Sequence, residues 1–169
     1  MAKLTVVSNA GPLIALSSIR QLDVLRRLFG SIVIPDAVYR EVVLNGQGRP
    51  GQNEVEQAAW ITIEHVTSSG ISNLMLDKLD AGERESIALA YDLKADYILL
   101  DERLARRRAN LLGLTVIGTL GILLMAHKDQ HIHDIATLLS ELEQNAFRMN
   151  TEVKAHILRK AGELRGGVE

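Results

Sequence analysis

Four side chains that carry oxygen ligands stand where strands end or helices begin in this sequence. They are Asn9 in VVSNAGPLI, Glu41 in IPDAVYREVV, Glu83 in LDAGERESIALA and Asp101 in YILLDERLARR. Carboxylate and amide oxygens bind hard divalent cations such as Mg²⁺ and Mn²⁺. Such a cation can orient and deprotonate a water molecule for attack on a phosphodiester. If the four side chains converge, they form a candidate catalytic site, with Glu41, Glu83 and Asp101 as the candidate metal ligands.

The elements that must position these residues alternate between strands and helices. Short runs rich in β-branched residues predict strands at 3–8, 31–35, 60–66, 96–101 and 114–118. The first sixteen residues are interpreted as a strand and not as a signal peptide. Helices are predicted over 19–30, after Pro35, after Gly82, over 104–112 and over 119–127. This alternation favours an α/β fold with a mainly parallel sheet between helices. Asn9 and Asp101 then lie at the carboxyl edge of that sheet, where ligands bind.

Helical spacing predicts where two of the glutamates point. At 100° per residue, Glu41 lies on the same arc as Val38, Val42 and Leu44, so we expect it to face the core. A carboxylate there must be paired, hydrogen-bonded or bound to metal, and a buried salt bridge is the alternative.

The helix after Gly82 offers a choice between two glutamates. Glu83 shares an arc with Ile87 and is predicted to point inward, whereas Glu85 lies on the opposite side. Helix capping is the alternative role for Glu83, and it is also the alternative role for Asp101.

Composition favours one domain, residues 1–169, because the chain is 47% hydrophobic and carries a net charge of only −2. We expect an α/β core over about 4–128 and a C-terminal helical hairpin over about 132–165. The absence of cysteine excludes disulfides, thiol catalysis and thiolate metal sites. No apolar run reaches about 18 residues, and a cytoplasmic location fits this composition.

Several further residues are candidates for binding a polyanion. Arg103, Arg106 and Arg107 share one helix face, which could bind the phosphates of a polyanion or could simply face solvent. Thr119, between Gly118 and Gly121, could present backbone N–H groups to a phosphate or serve as an ordinary helix cap.

Four segments in order resemble the PIN-domain nucleases over Val6 to about Met125: VVSNAGPLI, IPDAVYREV, AGERESIALA and YILLDERLARR. With its GPLIAL segment and GTLG-ILL helix, the chain is most similar to a prokaryotic branch that resembles the VapC-type toxin ribonucleases. The resemblance implies a three-layer α/β/α fold and Mg²⁺- or Mn²⁺-dependent cleavage of RNA. It carries the acidic positions of the family onto Asn9, Glu41, Glu83 and Asp101. It further implies a homodimer and an antitoxin protein as partner.

One motif departs from the family pattern. The family has Asp followed by Ser or Thr where this chain has Asn9 and Ala10, so the site lacks one charge and one hydroxyl. Asparagine can still coordinate a hard cation through its carbonyl oxygen. The alternative function is therefore a catalytically weakened PIN-like binding or scaffold protein.

Overall fold

A computed structural model describes residues 2–67 and 70–166, with the side chains of the last helix described as far as residue 162. It contains a sheet of five parallel strands, and all five lie within the predicted segments. They are β1 (Val6–Ser8), β2 (Ile32–Pro35), β3 (Ile61–Glu64), β4 (Tyr97–Leu99) and β5 (Val116–Ile117).

The strand order is β3-β2-β1-β4-β5, so the chain reverses its direction of progress across the sheet at β1. Val7 of β1 pairs with Val33 on one side and with Ile98 on the other. In open parallel sheets, a ligand crevice forms beyond the carboxyl ends of the strands at this reversal. Asn9 follows β1, and Asp101 stands two residues beyond β4, so both lie at the crevice.

Helices cover both faces of the sheet and make the three-layer α/β/α fold that was predicted. Val6 and Leu99 face one hydrophobic core, whereas Val7 and Ile98 face the other, as alternation along a strand requires. The described helices are α1 (Ala10–Ser18), α2 (Asp23–Phe29), α3 (Asp36–Tyr39), α4 (Gln52–Gln57), α5 (Ala81–Asp92), α6 (Arg103–Leu111), α7 (Thr119–Lys128), α8 (Ile135–Gln144) and α9 (Thr151–Gly166). Helices α5 and α6 cover the second core, and the first core holds α1, α2, α7 and the C-terminal pair.

The N-terminal interpretation needs two corrections. Only Val6–Ser8 of the first sixteen residues is a strand, and Ala10–Ser18 is a helix that tolerates Pro12 because it lies in the first turn. The helix predicted over 19–30 begins only at Asp23. Arg20 has a φ of 58°, which is a left-handed backbone conformation, so a turn separates α1 from α2.

The prediction that Glu41 faces the core is wrong. Helix α3 continues into a π-helical turn over Arg40–Leu44, closed by the Asn45 N–H donating to the Arg40 carbonyl at 2.8 Å. A π turn holds more residues than an α turn, so side chains in it point in directions that differ from those given by a spacing of 100° per residue. Glu41 is consequently exposed, and Leu44 is 56% exposed.

The sequence places Val153, Ile157 and Ala161 on one apolar stripe of the last helix, and the hairpin packs on the first core through part of it. Ile157 and Ala161 are 6% and 4% exposed, whereas Val153 is 38% exposed. The Gly-rich composition of 45–53 and of 67–73 predicts a loop over each segment. Residues 52 and 53 instead begin α4, and Ser68 and Ser69 lie outside the described residues. Among the described helices, none is both long enough and apolar enough to cross a membrane.

Candidate functional site

A cavity of about 1180 Å³ opens at the carboxyl edge of β1 and β4. Its volume exceeds the roughly 300–1,000 Å³ typical of small-molecule pockets. The four side chains predicted to converge all line it. Two carboxylates that the prediction did not include, Asp80 and Glu102, also line it. The polar and charged lining residues are Asn9, Glu41, Asp80, Glu83, Asp101, Glu102, Arg103, Arg106 and Arg148.

Asn9 presents an unused oxygen to this cavity. Its backbone N–H donates to the Leu99 carbonyl at 3.0 Å, which joins the ends of β1 and β4. The residue is only 7% exposed, and its side-chain Oδ1 is buried without a hydrogen-bond partner among the described residues. A buried acceptor left unsatisfied costs about 1–3 kcal/mol. Asn9 therefore has an oxygen free for a ligand of the cavity.

Gly82, in the first turn of α5, is the point on which three oxygens converge. A Cβ placed there would lie 3.1 Å from Asn9 Oδ1, 3.2 Å from Glu41 Oε2 and 3.5 Å from Asp80 Oδ1. These side chains come from the end of β1, the π-helical turn and the start of α5. The missing side chain of glycine thus leaves the space in which residues distant in sequence meet.

Asp80 and Glu83 form a reciprocal capping box at the start of α5. The Glu83 N–H donates to Asp80 Oδ1 at 2.8 Å, and the Asp80 N–H donates to Glu83 Oε2 at 3.0 Å. Glu83 is 7% exposed, so it is both inward-pointing and a cap, whereas Glu85 does not line the cavity. Sequence reasoning missed Asp80 because it started the helix at Gly82, although the D-x-x-E spacing is itself a capping signature.

Loss of water around the carboxyl group, reinforced by neighbouring negative charge, raises the pKa of two of these residues. Glu41 is exposed as a whole residue, but partial desolvation of its carboxyl group raises its pKa, and the neighbouring Asp80 adds to the shift. Burial also raises the pKa of Glu83; the backbone hydrogen bond from Asp80 opposes this shift, and the charges of Asp80, Glu102 and Glu41 reinforce it. Carboxylates held in this way are typical of functional sites. A bound cation would relieve the repulsion between them.

Asp101 is held at the edge of the cavity by Thr119. The Thr119 N–H donates to Asp101 Oδ1 at 2.8 Å, and its hydroxyl donates to Asp101 Oδ2 at 2.6 Å. Asp101 therefore satisfies the start of α7, while Glu102 caps α6 through the Ala105 N–H at 2.9 Å. Thr119 is fully buried, and both of its donors are engaged, so neither is free for a phosphate. The residue in the N-cap position of α7 is Gly118.

The three predicted arginines on α6 do not share one environment. Arg103 and Arg106 line the cavity, whereas Arg107 is exposed and does not line it. The Arg106 guanidinium lies against Gly118, where a Cβ would stand 2.9 Å from its Nη1 and 3.1 Å from Asp101 Oδ1. Positive and negative groups therefore meet on one side of the cavity.

The donor chemistry fits a hard divalent cation. The carboxylate and amide side chains that line the cavity offer oxygen atoms as ligands, and one of these, Asn9 Oδ1, is buried without a hydrogen-bond partner among the described residues. Among the described residues, however, no three His, Cys, Asp or Glu side chains are close enough to hold an ion by themselves. An ion would therefore use few protein ligands, the Asn9 amide among them, and keep several waters, as Mg²⁺ commonly does.

Thr119→Val should lower the free energy of unfolding by about 1.5–3 kcal/mol, the contribution of a hydrogen bond to a charged group. Valine has nearly the shape of threonine but cannot donate to Asp101 Oδ2. Urea denaturation measures the effect, and Thr119→Ser, which keeps the hydroxyl, is the matched control. A valine variant as stable as the wild-type protein would show that this hydrogen bond does not stabilise the fold.

A comparison with known protein families gives a match that contains every residue of the cavity lining. A family model described as a PIN domain matches residues 5–163. This range includes all five strands, the lining residues and most of α9. A search of curated proteins finds no match to the chain.

Proposed function

The chain belongs to the PIN-domain family, and we propose that it is a divalent-metal-dependent endoribonuclease that cuts RNA at the acidic cavity. The observation that carries the proposal is the convergence of Asn9, Glu41 and Asp80 oxygens around Gly82. Glu83 and Asp101 line the same cavity. The proposed cofactor is Mg²⁺ or Mn²⁺, with Glu41, Glu83 and Asp101 as ligands that bind directly or through water.

The roles of the individual residues follow from their surroundings. When bound, Mg²⁺ or Mn²⁺ would lower the pKa of water and neutralise charge on the phosphoryl oxygens. Glu41 makes no hydrogen bond or ion pair among the described residues, and its pKa is raised. Its carboxylate is thus suited to take a proton from the attacking water. Asn9 acts as a neutral ligand or orients that water through Oδ1.

Two arginines would hold the substrate. Arg103 and Arg106 line the cavity beside Asp101, where their guanidinium groups can bind RNA phosphates. Arg107 lies outside the lining, so we leave it out of the proposed site. Thr119 acts as a positioning residue that fixes the Asp101 carboxylate.

Cleavage of a mixed single-stranded RNA pool by the purified protein tests this function. We expect products in Mn²⁺ and none in EDTA. Glu41→Gln is a better inactive control than Asp101→Asn, because the latter also removes an acceptor from Thr119. Folded wild-type protein that leaves the RNA intact in Mn²⁺ would overturn the proposal.

A second candidate function is a PIN-like binding or scaffold protein with weakened catalysis. It is favoured by the neutral Asn9 and by the lack of a ready-made three-carboxylate cluster among the described residues. A protein of this kind would show no Mn²⁺ binding in the millimolar range, whereas the nuclease would bind it.

The biological setting that we propose rests on the resemblance to VapC-type toxins. In that setting the protein is the toxin of a toxin–antitoxin pair, acts in the cytoplasm as a homodimer and is inhibited by a partner antitoxin. Co-expression with the protein encoded next to it, followed by size-exclusion chromatography, would test the pairing.

A further inference from the structure

The C-terminal hairpin borders the acidic cavity. Phe147 and Arg148, in the linker between α8 and α9, line it, as does Ile157 of α9. The hairpin therefore supplies part of the lining of the cavity. A role for this hairpin at the site does not follow from its sequence, which shows only two amphipathic helices.

Packing fixes the linker that carries Arg148. Its two neighbours, Phe147 and Met149, are partly buried against the first core. The Phe147 N–H donates to the Leu142 carbonyl at 2.9 Å. An ion pair between Lys154 and Glu143, 2.5 Å long, also joins α9 to α8. Arg148 is thus an exposed side chain on a held backbone, which lowers the entropy cost of using it in binding.

Arg148 shares its situation with Arg103 and Arg106. All three line the cavity, and within the described part of the chain none forms an ion pair, although five carboxylates line the same cavity. Guanidinium groups bind phosphate through two parallel hydrogen bonds. Two separate elements, α6 and the linker, therefore direct unpaired guanidinium groups into one space.

We propose that Arg148 is a substrate-binding residue that holds a phosphate of an RNA strand lying between α6 and the C-terminal hairpin. This inference rests on the proposed function of the same cavity. Three guanidinium groups and a volume of about 1180 Å³ fit several consecutive nucleotides better than a single nucleotide. The proposed substrate is accordingly an oligonucleotide and not a mononucleotide, and the hairpin is part of the site that binds it.

Fluorescence anisotropy with a labelled single-stranded RNA 12-mer tests this inference in EDTA, where metal-dependent cleavage does not occur. Arg148→Gln should weaken binding about 5- to 20-fold and reduce the slope of log K against log salt by about 0.7, the value for one phosphate contact. Arg159→Gln is the matched control, because Arg159 is also exposed on the hairpin but does not line the cavity. A nucleoside monophosphate should not displace the 12-mer at equal concentration.

Each outcome supports or overturns the inference. An unchanged affinity and salt slope in Arg148→Gln would overturn it, as would an equal loss in Arg159→Gln, which would indicate general attraction to a basic surface. Absence of RNA binding by the wild-type protein would also overturn it. Wild-type protein that binds through Arg148 but does not cut RNA in Mn²⁺ would refute the nuclease and leave this inference standing.

Discussion

Glu41→Gln is expected to abolish RNA cleavage and, at neutral pH, to make the folded protein more stable. Removing a residue that only hydrogen-bonds to a metal ligand already costs about 10- to 100-fold, so loss of Glu41, which is proposed to bind the ion or its water and to accept the proton, should cost at least about 100-fold. The gain in stability arises because partial desolvation of the carboxyl group and the charge of Asp80 disfavour the charged form of Glu41. An amide of the same shape removes that charge.

The stability gain should depend on pH in a defined direction. Because the pKa of Glu41 is raised in the folded state, the unfolded state loses its proton first as pH rises. Wild-type stability therefore falls, relative to the glutamine variant, as pH rises from the ordinary carboxyl pKa to the raised one. Below about pH 4 the difference between the two proteins should vanish, since both side chains are then neutral.

Thermal unfolding across pH, combined with the RNA assay, tests this prediction. Glu85→Gln is the matched control, because Glu85 is only partly buried and lies outside the cavity lining. A glutamine variant of Glu41 that is less stable at neutral pH would show that the carboxylate is stabilised by a partner. A variant that still cuts RNA at the wild-type rate would remove Glu41 from the site.

Asn9→Asp is expected to tighten Mn²⁺ binding by about 10- to 100-fold. A unit charge 4 Å from an ion contributes roughly 4 kcal/mol at an effective dielectric near 20, before the desolvation cost reduces it. Asn9 Oδ1 lies close to Glu41 Oε2 and Asp80 Oδ1 around Gly82, so the new charge is added beside the proposed position of the ion. For the same reason the metal-free variant should be less stable at neutral pH.

Isothermal titration calorimetry with Mn²⁺ measures this change directly. Asn110→Asp provides the control for net charge, because Asn110 is exposed on α6 and lies outside the cavity lining. Equal affinities for wild-type protein and the Asn9 variant would mean that Asn9 does not contact the ion. An equal gain in both variants would indicate a general electrostatic effect.

The sheet was predictable because its strands are short, β-branched and bounded by turn residues. That pattern located all five strands, and the rule for parallel sheets then placed Asn9 and Asp101 at one edge. The prediction that Glu83 points inward agrees with its burial, because α5 is a regular helix and keeps the 100° spacing.

What could not be predicted depends on tertiary structure or on irregular backbone. The π-helical turn at Arg40–Leu44 changes the direction of Glu41, and no pattern in the sequence predicts this turn. The bonds between Asp101 and Thr119 join residues that are adjacent only after β5 pairs with β4. Arg148 reaches the cavity only because the hairpin packs against the first core. Asp80 is different, because the D-x-x-E spacing of its capping box could have been used to predict it from the sequence.

The most direct measurement follows Mn²⁺ occupancy and RNA cleavage together in one titration of the wild-type protein, repeated with Glu41→Gln. If the acidic cavity is a metal-dependent nuclease site, the cleavage rate rises in proportion to bound Mn²⁺ in the wild type. The glutamine variant then shows both weaker binding and no cleavage. Cleavage that persists in EDTA, or Mn²⁺ binding that is identical in the two proteins, would contradict the proposed site.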